Sequence, residues 1–146
     1  MLRGLAAIPE GERGPSIQGA IDEGVQLLLG QDLTRDLRPA LVGVPSRWLR
    51  FGFPLGEDSD LLEGLLALCE VGAVPLPAEA MQAVLDKKDA DGRWPLERAL
   101  RNTWAGFGEE GHPNRWVTLR AYRVLREAPV PAHLRCVEGT DTLCQV

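Results

Sequence analysis

"DLLEGLLALCEVGAVPLPAEAMQAVLDKKDADGRW", Asp60 to Trp94, reads as two unlike helices joined by a short turn and followed by a tight one. In the first, Leu61, Leu62, Leu65, Leu66, Leu68 and Cys69 cover well over half of the circumference, which marks a helix buried on most sides. The second has a single apolar stripe and a charged face carrying Glu79, Asp86 and Lys87, the signature of a half-exposed helix. Asp60 and Glu63 supply an acidic first turn where free N–H groups and the helix dipole favour it. Gly72 stands just past the apolar run, where a left-handed cap is needed. Pro77 falls where a first-turn proline is tolerated.

The same order recurs along the chain. "LRGLAAI" from Leu2, "LEGLLAL" from Leu62 and "LRAYRVL" from Leu119 form one type of segment. "AIDEGVQLLLGQD", ending at Asp32, and "AMQAVLDKKD", ending at Asp89, form a second type, offset by 57 residues. Alternation at a fixed period just under sixty residues is the mark of a tandem repeat of helical hairpins. Helices are expected at about 2–8, 15–29, 59–71, 77–88 and 114–127, with Pro15 in a first turn, Gly30 as a second left-handed cap and Asn114 capping the last helix. One buried row and one half-wet row point to an all-α fold, a double-layered arc of helical hairpins over residues 1–127, with an irregular tail over 128–146. Two long connections, 31–58 and 89–113, join outer helices to inner ones, and both are rich in Trp, Arg, Gly and Pro. Connections of that length usually have a task of their own.

Composition narrows the classes of function. The chain has 146 residues, is 45% hydrophobic and 25% charged, and carries a net charge of −5. Its arginines are dispersed, so the positive field that nucleic acid requires is missing. No apolar run approaches the ~20 residues of a transmembrane helix, and the start "MLRGLAAIPEGERGP" lacks a secretory apolar core. Three widely spaced cysteines, Cys69, Cys136 and Cys144, make no disulfide framework, so a reducing cytoplasm is the expected setting.

Gly92, Arg93 and Trp94 match the Gly-x-Trp of the QW motif, with Lys88 standing where that motif has Gln. Together with "RWLRFGFP…SDLLEGLLAL" and "RWVTLRAYRVL", these residues resemble bacterial members of the prenyltransferase and squalene-cyclase-like superfamily, across about residues 2–127. The resemblance implies an α/α toroid of inner and outer helices around a central cavity. It also implies that the tryptophan at 94 packs near the end of an outer helix and ties it to the next inner one. Trp94, Trp104 and Trp116 then clamp a connection that has little regular backbone pairing, the alternative being that they wall a ligand. A full ring needs roughly twice as many hairpins. The chain is therefore expected to be a partial toroid, and its exposed helix edges to meet a second copy or a missing N-terminal half.

Catalytic motifs of that superfamily are not matched. "DSDL" (Asp58, Asp60) and "DADG" (Asp89, Asp91) lack the last Asp of the alkene-protonating Asp-x-Asp-Asp, and no Asp-x-Cys pair is present for zinc. No catalytic residue, cofactor or metal is therefore assigned. Candidate ligand or partner contacts are Arg47, Trp48, Arg50, Phe51 and Asp58 from the first connection, with Asp60 at the start of the helix that follows it. Trp104 and His112 come from the second, and Arg115 and Trp116 from the start of the helix that follows it. Arginines beside aromatics suit an anion on an apolar body, such as a prenyl diphosphate. Equally, the arginines can pair with Glu57, Asp58, Glu109 or Glu110 and stitch loop to helix. The expected function is a non-catalytic binding scaffold; the alternative is a fragment of an isoprenoid-processing enzyme whose catalytic motifs lie outside this chain.

Overall fold

A computed structural model of the chain describes residues 2–30, 33–34, 47–101 and 103–127. Five helices follow in order: α1 (Leu2–Ala6), α2 (Pro15–Leu29), α3 (Leu61–Glu70), α4 (Ala78–Leu85) and α5 (Arg115–Glu127). The described part is thus mostly helical, with boundaries within about three residues of those expected. Half of the first connection, and all of the 128–146 tail with Cys136 and Cys144, lie outside the described residues.

Helix α3 is the centre of the molecule. Leu61, Leu62, Leu65, Leu66 and Leu68 are all buried, and α3 packs along α5 on one side and α1 on the other. Its ends are set by local chemistry. Asp60 is the N-cap, its Oδ1 accepting the Glu63 N–H at 2.9 Å. At the other end Gly72 has φ of +78°, and the Ala73 and Gly72 N–H groups return to the Leu68 and Cys69 carbonyls at 2.9 and 3.0 Å. This is a Schellman ending, in which the left-handed residue falls to glycine because it has no Cβ to clash. Helix α4 adds Ala80, Met81 and Val84 to the same core, and α5 adds Val117, Ala121 and Val124. Asn114 caps α5, its Oδ1 accepting from the Trp116 and Val117 N–H groups at 3.0 and 3.2 Å.

Three details depart from expectation. Gly30 is not left-handed: at φ −74° its N–H still completes the helical ladder to Gln26, so the turn is not taken at that residue. Pro77 is the N-cap of α4 and not its first helical residue, its ψ of 129° being the extended backbone of a cap. The fold is also not purely helical. Strands β1 (Gly52–Phe53) and β2 (Arg98–Ala99) pair in parallel, with Gly52 opposite Arg98 and Phe53 opposite Ala99. The cause is burial: Phe51 and Gly52 lie in the interior, and a buried backbone must find partners. The Phe51 carbonyl accepts from both Glu97 N–H at 2.8 Å and Arg98 N–H at 3.2 Å.

Helix α1 contributes no fully buried residue. It is held by Arg3, whose guanidinium forks onto Glu70 at 2.7 and 2.8 Å and reaches Glu63 at 2.8 Å. Those hydrogen bonds from Arg3 hold the Glu70 carboxyl below the usual glutamate range, burial opposing them. The sign of the pH effect follows. A depressed folded pKa means that stabilisation is present above the unfolded value, about 4.3, and is lost as pH falls through the lower folded value. The urea midpoints of wild type and Glu70→Gln are expected to differ most above about pH 5 and to converge toward pH 3. A gap that does not change with pH would show that the clasp is not what Glu70 contributes.

Candidate functional site

Beside α3 the packing leaves a cleft of about 310 Å³ between α1, α3 and α5. Its apolar walls are Phe53, Pro54 and Leu55 from the first connection, Leu66 from α3, and Trp116 and Leu119 from α5. Arg3, Glu63, Arg120 and Arg123 complete the lining. Leu119 is 53% exposed, so the cleft opens to solvent over an apolar side chain. Phe53 stacks on Trp116 at 5.1 Å and nearly parallel, which makes this wall flat and stiff.

Behind the wall lies a buried ion pair. Asp60 is fully buried and Arg120 is 8% exposed. Arg120 grips Asp60 with both terminal nitrogens, at 2.9 and 2.6 Å, and donates to the Gly52 carbonyl at 2.8 Å. Asp60 also accepts the Gly52 N–H at 3.0 Å. One carboxylate thereby caps α3, anchors β1 and locks α5. Arg120 further meets Glu63 at 3.3 Å, and Arg123 one turn on meets Glu70 at 3.2 Å. Because both pairs advance in the same sense, α3 and α5 run parallel.

The charges around the cleft cancel. Arg3, Arg120 and Arg123 face Asp60, Glu63 and Glu70. The commitments are unequal, though. Arg3 spends Nε, Nη1 and Nη2 on carboxylates, and Arg120 spends both terminal nitrogens. Arg123 makes a single long bond, from Nη2, and its side chain is 43% exposed.

Most of the residues singled out from the sequence lie elsewhere. Trp116 lines the cleft, and Asp60 sits beneath it. Arg115 is exposed, its guanidinium 5.1 Å from the Trp116 ring centre. Arg47 pairs with Asp58 at 3.1 Å, and Asp58 also takes Arg98. Arg50 donates to the Glu97 carbonyl and lies 3.6 Å from Glu110. Trp48 donates its indole N–H to the Leu33 carbonyl at 2.8 Å and lies so close over Gly64 that a Cβ there would sit 2.6 Å from the ring. Phe51 is a core residue with the Lys87 ammonium 4.5 Å from its ring centre. His112 is exposed, 3.9 Å from Glu109.

The QW-like residues divide the same way. Lys88 is exposed. Gly92 takes φ of +77° and accepts from the Tyr122 hydroxyl at 2.9 Å. Trp94 has no exposed surface: its indole N–H donates to the Val84 carbonyl at the end of α4 at 2.6 Å, and its backbone N–H donates to Thr118 Oγ1 of α5 at 3.0 Å. Trp104 does not share this clamping role. It is 94% exposed and touches the fold through the edge of Phe107, with ring centres 6.1 Å apart. Trp104→Ser is expected to change unfolding free energy by less than about 0.5 kcal/mol, read from chemical denaturation. A loss above about 2 kcal/mol would mean that the indole packs after all.

Arg3, Arg120 and Arg123 were not singled out from the sequence. Arg120 carried a usable signal: in α5 it falls on the stripe of Val117, Ala121 and Val124, and a charge on a buried stripe requires a partner. Arg3 and Arg123 have no such mark.

Among the described residues no group of His, Cys, Asp or Glu is placed to hold a metal ion, and no helix is long and apolar enough to cross a membrane. Comparisons with protein-family models, with curated proteins and with solved structures return no match to this chain.

Proposed function

We propose that this chain is a squalene-cyclase-like helical repeat, an open arc of an α/α toroid, that serves as a binding scaffold through the cleft between α1, α3 and α5. The single observation that carries the reading is the cleft itself: a preformed apolar hollow with a rigid aromatic wall, whose charged groups already satisfy one another. The row α1–α3–α5, with α2 and α4 half-exposed, supports the layered arc. So does the Trp94 indole closing the end of α4 onto α5.

The competing reading, a fragment of an isoprenoid-processing enzyme, is less well supported. A protonating acid must be free to give up a proton in a dry pocket. Asp60, the buried carboxylate nearest the cleft, instead accepts from Glu63 N–H, Gly52 N–H and both terminal nitrogens of Arg120. Charge balance around the cleft also leaves little positive potential for a diphosphate.

A neutral apolar probe tests the scaffold. Titration with 1-decanol, followed by NMR, is expected to shift the Trp116 indole and Leu119 methyl signals saturably, and Trp116→Ala to remove most of the effect. Shifts that never saturate, or that persist in Trp116→Ala, would sink the cleft as a binding site.

A further inference from the structure

The cleft carries one asymmetry that points to the class of ligand. Three guanidiniums line it, and two of them are committed. Arg120 is locked in the interior, and Arg3 forks onto Glu70 while its third nitrogen holds Glu63. Moving Arg120 would strand the buried Asp60, and moving Arg3 would break three short bonds to carboxylates at once. Arg123 differs: among the described residues its acidic partner is Glu70 alone, at 3.2 Å, and that carboxylate is already satisfied by the Arg3 fork. Its side chain is 43% exposed at the mouth of the cleft, so it can turn to a new acceptor without exposing or orphaning anything.

We infer that the cleft binds an apolar monocarboxylate, its chain lying along Phe53, Leu66, Trp116 and Leu119 and its carboxylate received by Arg123. This rests on the scaffold reading above and adds the ligand's head group. Three physical points select that class. A guanidinium matches a carboxylate through two parallel N–H donors, a charge-assisted pairing that one arginine can make alone. One available cation suits one negative charge, whereas a diphosphate would need the committed arginines as well. A volume of about 310 Å³ is at the small end of ligand pockets, which run roughly 300–1,000 Å³, so the chain is of medium length and not a long polyisoprenoid.

The test uses decanoate and 1-decanol, two ligands with the same ten-carbon body, on wild type and on Arg123→Gln, with affinities from NMR titration at low salt. Decanoate is expected to bind wild type about tenfold more tightly than decanol, as one charge-assisted contact allows. Arg123→Gln is expected to erase that advantage, so that decanoate and decanol bind the variant within about twofold of each other. Equal affinities for the two ligands on wild type, or a decanoate advantage that survives Arg123→Gln, overturn the carboxylate assignment and leave the apolar cleft standing. Failure of both ligands to bind overturns the assignment and the scaffold reading together.

Discussion

Arg120→Met is expected to destabilise the fold by about 3–5 kcal/mol, the cost of leaving a buried charge without its partner. The stranded group is Asp60, which has no exposed surface, and the lost donors include the one serving the Gly52 carbonyl. Asp60→Asn alone should be milder, because Asn still caps α3 and Arg120 keeps Glu63 within 3.3 Å. Combining the two removes both charges, so Asp60→Asn/Arg120→Met is expected to recover more than half of the loss in the arginine variant. Urea denaturation at neutral pH, run as a double-mutant cycle, reads the coupling directly. A single-variant cost below about 1 kcal/mol would place the pair among solvent-screened surface bridges, and the account of α3, α5 and β1 as one locked unit would fail.

The second large effect is at Trp94. Trp94→Ala deletes a wholly buried indole and should cost about 3–5 kcal/mol. Trp94→Phe keeps most of the ring and loses the donor to the Val84 carbonyl. That carbonyl also accepts the Lys87 N–H at 3.4 Å, so the expected cost is nearer 1 kcal/mol. Thermal denaturation of the three proteins should therefore rank them wild type, Phe, Ala. If Trp94→Ala melts with wild type, the indole is not what joins α4 to α5.

The helices were legible because their signals are local and redundant. A run of leucines, acidic Asp60 and Glu63 at its start and a glycine at 72 agree on where α3 lies, though Asp60 is its cap and not part of its first turn; Asn114 marks the start of α5. The burial of Trp94 was expected from the resemblance of Gly92, Arg93 and Trp94 to the QW motif and from the cost of leaving an indole in water. What could not be read is pairing between distant residues. Arg3 finds Glu63 and Glu70, and Arg120 finds Asp60, across about sixty positions, and nothing near either residue announces the partner. The strands were missed because two-residue segments are too short to show alternation. Trp104 misled because composition cannot tell an indole that closes a loop from one that projects from it; only the course of the backbone at 103–107 decides. The cleft itself is a product of helix placement and has no counterpart in any single stretch.

The bond between Asp60 and Arg120 has a kinetic corollary. Helical proteins mostly fold fast because their contacts are close in sequence, and search time grows with the chain that must be closed. Here the residue that caps the central helix meets its counter-charge only when a segment sixty positions downstream arrives, and β1 must find β2 over 46 positions. Refolding should thus be slower than for a simple helical bundle of this size, with the rate set by arrival of α5 and not by formation of any one helix.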